Sequence, residues 1–428
     1  MVKVGWKERK LGDVAEVFSG FAFKSSDLKE GDLPVIKIAN IQNKQVIQNC
    51  DAFFSSKKLS EKLKKYFLEK NDFLIAMTGA GSVGKTGKMR SMKGSFLVNQ
   101  RVGIVRVNKE LADPELIFQI ISQDIFEDRM YQLGLGAGQP NISSNDIKGL
   151  EFILPKDLKE QVKIATILSN YDNLIKINEK RIKFLEKVVK LIYEEWFVNF
   201  KFPGHEDVKM VDSKTNFGKI PENWAVKGVK DIEYFTFIDT NIKEFTGEKE
   251  YFATANISGI DIIKEGEIVT WKNKPSRAQK QPKINSVWFA RMKDSYKILG
   301  VTEANQFIAN NSILSSGFAG FESEELIFPF LYLTINSERF EDFKDRYATG
   351  ATQVSLNNEG LSKIQVIKPQ KELVEYFGRI TKSLIDKMFY FQQINNKLRK
   401  TRDLLLPKLI SREVDVSKLD IKIPEIEA

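Results

Sequence analysis

The sequence predicts an α+β protein: two mixed α/β domains separated by two long antiparallel helices, built as a pseudo-two-fold tandem repeat. Three observations predict it. Two stretches, 157–200 and 371–415, carry apolar seams with steps that alternate 4 and 3, the heptad pattern of helices packed lengthwise. Short β-type runs and turn clusters precede each stretch. Local sequence echoes recur in one order at an offset of about half the chain.

Residues 1–156 are read as the first domain. It opens with Gly5-Trp6, then Leu11-Gly12-Asp13-Val14 and Phe18-Ser19-Gly20-Phe21. Strand-like runs at 33–41, 72–77 and 96–107 are separated by Gly, Asn, Ser and Lys clusters that read as turns. Residues 114–131 read as one helix with Leu116, Ile120, Ile121, Ile125 and Met130 inward. A Gly-rich turn at 134–141 leads to a strand that Pro155 ends.

The first long helix, 157–200, has its seam at Ile164, Leu168, Tyr171, Ile175, Asn178, Ile182, Leu185, Val189 and Ile192, and no Pro or Gly interrupts 156–201. At 1.5 Å per residue, about 40 residues give a rod of roughly 60 Å, which suggests a spacer. Residues 201–221, with Pro203, Gly204, Gly218 and Pro221, read as a linker. It holds His205, the chain's single histidine.

Residues 222–370 then repeat the first domain. Trp224 follows Trp6 by 218, Asn256 follows Asn40 by 216, Glu325 follows Glu115 by 210, and Gln353, Pro369 and Asp386 follow Gln139, Pro155 and Asp172 by 214. The second long helix, 371–415, has its seam at Phe377, Thr381, Leu384, Met388, Phe391, Asn395, Leu398, Arg402 and Leu405; residues 416–428 form a tail. The pairing contacts expected between the helices are Ile175, Asn178, Ile182 and Leu185 with Met388, Phe391, Asn395 and Leu398. A polar residue in such a seam costs stability and fixes register.

The net charge of +9 favours an anionic partner, most simply nucleic acid. One cysteine, Cys50, excludes an intrachain disulfide or a cysteine zinc site, and one histidine leaves little for His-based catalysis or metal binding. No run of 18 apolar residues is present, and residues 1–10 contain no apolar signal segment. A cytoplasmic protein without a membrane partner is the expectation.

Gly79-Ala80-Gly81-Ser82-Val83-Gly84-Lys85-Thr86 fits the phosphate-binding P-loop pattern. That mechanism needs a helix starting at Lys85-Thr86. The next residues, through Gly87 to Gly94, have no helical apolar period, and the second half lacks the string. Contact with a phosphate backbone through Lys85, Lys88 and Arg90 is the preferred reading. Basic residues also cluster with aromatics at 271–293. No catalytic constellation is visible.

Several motifs together resemble the specificity subunits of type I restriction–modification enzymes. They are Trp6 with Leu11-Gly12-Asp13-Val14, Gly81-Ser82-Val83-Gly84-Lys85, Gly138-Gln139-Pro140-Asn141-Ile142-Ser143, Leu154-Pro155 with Glu160-Gln161, and Phe197-Val198-Asn199-Phe200-Lys201-Phe202-Pro203-Gly204-His205. The second half adds Ile220-Pro221-Glu222-Asn223-Trp224 and Leu404-Leu405-Leu406-Pro407-Lys408-Leu409-Ile410-Ser411, and departs from the pattern at Lys371-Glu372-Leu373-Val374-Glu375, which lacks the Glu-Gln pair.

The resemblance implies two target-recognition domains, each reading half of a bipartite, asymmetric site in double-stranded DNA. It implies that the paired helices set the gap and dock two methyltransferase subunits. Motor-nuclease subunits would join them, with S-adenosylmethionine, ATP and Mg on these partners and no cofactor or catalysis on this chain. The candidate DNA contacts are Ser19, Lys24, Asn40, Ser82, Lys85, Thr86, Lys88, Arg90, Arg101, Gln139 and Asn141 in the first domain. In the second they are Asn256, Lys272, Lys274, Arg277, Lys280, Arg291, Lys293, Gln353 and Ser355. Two other readings stay open at this stage: a P-loop ATPase using residues 79–86, and a scaffold that binds no DNA.

Overall fold

Alternate residues of the central strands feed two different cores, and this sets the layering of both domains. The computed structural model describes residues 5–136, 138–350, 353–411, 413–416 and 419–421. Most of the tail assigned to 416–428 therefore lies outside the described residues. The chain divides into two units, one made of residues 1–173 with 399–428, the other of residues 174–398. The division falls inside the long helices, so each helix contributes to both units.

In the first unit, a six-stranded sheet runs in the order Ala15–Ser19, Val102–Val107, Phe73–Ala76, Thr86–Lys88, Lys44–Val46, Ile41–Gln42. Phe73 and Ile75 enter one core with Leu116, Ile120 and Leu168. Leu74 and Ala76 enter another with Ile36, Val98 and Ile104. That split follows from the two-residue period of a strand. Leu406, Leu409 and Val416, from the far end of the chain, complete the first of these cores.

The helix expected over 114–131 is two helices, Pro114–Ile121 and Asp124–Leu133. Asp113 caps the first by accepting from the amides of Glu115 and Leu116, with Pro114 in the first turn. Gln123 is extended between the two helices. The break changes the helical phase, so Ile125, expected inward, is 71% exposed.

The second unit repeats this plan down to its register. Val35 pairs in parallel with Leu97, and Tyr251 with Ile313, both shifted by 216. The amide of Leu11 donates to the carbonyl of Leu150, and that of Val229 to Ile364. Val287 and Phe289 point into one core, Trp288 and Ala290 into the other. The stretch 201–221, expected as a linker, is instead built into this unit. Met210–Asp212 and Lys219–Pro221 form a hairpin, and Phe202 stacks on Trp224 with ring centroids 5.2 Å apart. Its apolar residues Phe202 and Ile220 are buried.

The long helices are Leu158–Tyr193 and Lys371–Ile410. The first starts where Gln161 clasps the preceding strand and the next helix cap: its side-chain amide donates to the carbonyl of Pro155 (2.8 Å) and its oxygen accepts from the amide of Asp113 (2.9 Å). It closes in a π turn, Glu194–Val198, and the left-handed Phe200 ends it. Within the second unit the two helices run antiparallel. Asn178 meets Asn395, Arg181 lies over the ring of Phe391, and Trp196 packs on Tyr376 and Phe377. Gly378 is required because a Cβ there would lie 1.9 Å from the carbonyl oxygen of Leu326.

Of the expected pairing residues, Ile175, Ile182 and Met388 are buried, while Leu185, Phe391 and Leu398 are half-buried. Both seam asparagines are buried and satisfied. The Asn178 amide donates to the Asn395 oxygen (2.9 Å), and the Asn395 amide donates to the carbonyl of Ile175 (3.3 Å).

Replacing Asn178 alone by Ala leaves the Asn395 side-chain oxygen without its donor and should cost about 1–3 kcal/mol. Replacing both by Leu should recover or exceed wild-type stability, because paired apolar groups need no partner. Thermal melting of the two variants checks this; a double variant no more stable than the single one refutes it.

Candidate nucleic-acid interface

Strand register gathers most of the exposed candidate residues of the first domain at one end of its large sheet. Ser19 pairs with Gly103, Ala76 with Val102, and Ile75 with Thr86. The turn at Asn99–Arg101, the hairpin at 77–85 and the loop after Ser19 therefore share that end. Thr78 bridges Asn141, and the amide of Ile142 donates to the carbonyl of Met77, which brings the Gln139–Asn141 turn to the same place.

The second domain builds the same corner at a shift of 214. Met292 bridges Ser355, as Thr78 bridges Asn141. The amide of Leu356 donates to the carbonyl of Arg291, and the amide of Lys293 to that of Val354. Asn357 caps a short helix as Ser143 does. The Ser316 amide donates to the Arg277 carbonyl, and the Arg291 amide to that of Gly317, so the loop carrying Lys272 and Arg277 adjoins this corner. Of the matching turn, Ala351 and Thr352 lie outside the described residues.

At these corners Lys85, Arg101, Gln139 and Asn141 are exposed in the first domain, and Lys272, Arg277, Lys293 and Gln353 in the second; Lys24 is exposed on the loop beyond Ser19. Among the described residues, none of the exposed lysines and arginines here forms an ion pair. Ser19, Ser82 and Ser355 are half-buried. The arrangement offers phosphate-seeking cations beside amides with both donors and acceptors, the chemistry of a nucleic-acid contact.

Eight candidates point elsewhere. Asn40 accepts from the amide of Lys37 and donates to the carbonyls of Ile47 and Asn49. Asn256 accepts from Ala253 and donates to Glu265. The two asparagines close equivalent turns rather than facing a ligand. Thr86 is buried in its strand. Lys274 donates to the carbonyl of Ala278 and lies 4.7 Å from the centre of the Trp271 ring. Lys280, 8% exposed, reaches the carbonyl of Asp239 and the Asn241 side chain. Arg291 donates to the Leu356 carbonyl and the Asn358 side chain. Burial lowers the pKa of both Lys280 and Arg291.

Lys88 and Arg90 enter an ion network beneath the sheet. Lys88 lies 2.8 Å from Glu115. Arg90 lies 3.0 Å from Glu115 and 2.7 Å from Asp172 on the first long helix. Gln119 donates to both carboxylates, and Arg402 of the second long helix lies 2.5 Å from Asp172. Burial pushes the Glu115 carboxyl up, but Lys88 and Arg90 outweigh it and hold it below its ordinary value. The sequence offered two signs of this network, the echoes of Glu115 at Glu325 and of Asp172 at Asp386. It gave none of Lys344, a fully buried lysine that donates to the carbonyls of Met292 and Ser295 (3.1 Å each) and so holds the loop at Lys293.

The P-loop reading fails on backbone geometry. Residues 76–86 form a β-hairpin, with the Ala76 amide donating to Lys85 and the Gly84 amide to Ala76. Thr86 begins a strand rather than a helix, so the helix N-terminus that would receive a phosphate is missing. Gly84 has φ +86°, and a Cβ there would lie 2.7 Å from the carbonyl oxygen of Glu127, which accounts for that glycine without a nucleotide. Among the described residues, no group of three His, Cys, Asp or Glu is arranged to hold a metal ion, and no helix is long and apolar enough to cross a membrane.

Residues 3–187 match the family described as Type I restriction modification DNA specificity domain. The chain is similar along its length to the type I restriction enzyme HindI specificity subunit of Haemophilus influenzae, 22% identical over 96% of this chain and 99% of that one. It is likewise similar to the type I restriction enzyme MjaIX specificity subunit of Methanocaldococcus jannaschii, 23% identical over 97% of this chain and 94% of that one. The crystal structure of a type I restriction-modification system S subunit from M. genitalium shares the fold, with a TM-score of 0.57 and 16% identity, covering 95% of this chain and 96% of that one.

Because Glu115 is held below its ordinary pKa, its stabilising effect is complete above about pH 5 and is lost as pH falls through the depressed value. Lys88→Met should therefore cost about 1–3 kcal/mol at neutral pH, with the deficit shrinking as pH falls below the ordinary carboxylate value of about 4.3. Melting curves of both proteins across that range check it; a deficit independent of pH counts against the ion pair.

Proposed function

We propose that the chain, whose residues 3–187 match the type I restriction–modification specificity domain and which is similar along its length to specificity subunits, is the DNA-reading subunit of such a system, with each domain reading one half of a bipartite site. The observation that carries this is the duplicated corner. Two domains with diverged sequences build this corner on equivalent backbone, Thr78 with Asn141 matching Met292 with Ser355, and present exposed cations and amides there: Lys85, Arg101, Gln139 and Asn141 in the first, and Lys293, Gln353 and the adjoining Lys272 and Arg277 in the second. Equivalent scaffolds with different side chains suit the reading of two different half-sites. Phosphate contacts position each domain, and amide and guanidinium groups read base edges.

The helices serve as the spacer. Leu158–Tyr193, with 36 residues, is roughly 54 Å long, enough to serve half-sites about 34–36 Å apart. Ile177, Phe184 and Leu191 recur at seven-residue steps on the first helix and are exposed. Tyr390 on the second is exposed as well. These outward apolar residues are the docking faces for two methyltransferase subunits, which motor-nuclease subunits join. The chain itself works without catalysis or cofactor, in the cytoplasm beside the DNA it reads.

Mapping adenine methylation in the host tests the reading. A bipartite methylated motif should disappear when this chain is deleted and return with it; no lost motif would sink the proposal. Adding one heptad to each long helix should change the gap between the halves and leave their sequences intact. DNA affinity of the assembled complex should fall steeply with salt, as phosphate contacts require.

A further inference from the structure

The strand that leaves the Gly-rich hairpin, Thr86–Lys88, and the residues just past it carry two cations away from the exposed corner and into the ion network. Lys85 is exposed at the corner, and three residues later Lys88 is buried against Glu115. Arg90 then joins Glu115 to Asp172. Asp172 uses its other oxygen for Arg402. One carboxylate thus receives the hairpin strand on one side and the second long helix on the other, while standing on the first. Its side chain and those of Arg90 and Arg402 are mostly buried, where ion pairs are directional and little screened.

The equivalent acids of the second unit are wired differently. Glu325 and Asp386 occupy the places of Glu115 and Asp172 in the repeat. They are joined by Lys382, 2.9 Å from the first and 2.7 Å from the second. Lys382 lies one turn from Asp386 on the same helix, so here the cation comes from the helix itself rather than from a strand of the sheet. In the first unit this network ties a strand of the reading corner to the helices.

We infer that Arg90 and Asp172 are positioning residues that set the angle of the first reading corner on the helix pair, and so the strictness of the gap before the first half-site. This rests on the reading that the chain sets the gap of a bipartite site. The two residues touch no base in this scheme; they act through the hairpin that carries Lys85 and through the helices.

The test is methylation mapping in a host whose own copy is replaced by Arg90→Gln, by Asp172→Asn or by the charge-keeping Arg90→Lys. Asp403→Asn, at an exposed partner of Arg402, is the control. In Arg90→Gln and Asp172→Asn, both half-site sequences should persist, with the preference for the native gap over gaps one base pair longer or shorter reduced about tenfold or more. Arg90→Lys and Asp403→Asn should keep one gap. A single unchanged gap in both charge-neutral variants overturns the inference, and so does equal loss of methylation at every gap, because positioning changes selectivity before it abolishes binding. A host with no bipartite motif dependent on the wild-type chain would instead overturn the function on which the inference rests.

Discussion

A helix with an apolar seam along its length has to cover that seam. In this chain the cover is a second helix with a matching seam, supplied by duplication. Burying the seams is favourable wherever they meet, so apolar contact alone leaves the register loosely set. The polar contacts within the seam select it. Asn178 is satisfied by Asn395, and Asn395 also by the carbonyl of Ile175. A slip of one turn would leave these groups buried without partners, which costs more than their pairing gains.

The two domains show how duplication and divergence divide the work. Backbone hydrogen bonds at the reading corner agree at a shift of 214: Met77 with Ile142 becomes Arg291 with Leu356. The means of holding the corner have diverged. In the first unit, Gly84 lets the hairpin pack against the backbone of Glu127. In the second, the shorter loop is held by Lys344, which fills the place of Met130 in the repeat and supplies donors to two carbonyls. Backbone geometry is retained while its support is rebuilt.

Much of this was legible in the sequence because it depends on local period. The heptads pointed to two long helices, expected over 157–200 and 371–415 where the helices run Leu158–Tyr193 and Lys371–Ile410, and the ordered echoes pointed to the repeat. The asparagines were visible because polar residues stand out in an apolar seam. What escaped depends on partners remote in sequence. Lys88 and Arg90 follow a Gly-rich turn and look solvated, yet their carboxylates come from Glu115 and Asp172. Asn40 and Asn256 were found as an echo, but their task is to close a turn, which only the receiving carbonyls reveal. Ile125 fits the helical period of 114–131; the extended Gln123 shifts the phase and leaves it outside. Pro and Gly at 201–221 suggested a linker, whereas Phe202 and Ile220 anchor a hairpin.

The first unit is discontinuous in sequence: Leu406, Leu409 and Val416 complete a core whose other members lie between Trp6 and Leu168. During synthesis, the sheet and helices of that domain emerge long before these residues do. The second unit, residues 174–398, is continuous and has all its parts as soon as its own helix is made. The order of maturation is thus inverted relative to the order of translation: the domain made first is finished last. Closing so long a loop adds little equilibrium cost, about 0.6 kcal/mol per doubling of length, but such distant contacts slow folding. The early domain must therefore wait with part of its apolar surface uncovered, and the final helical turns act as its latch.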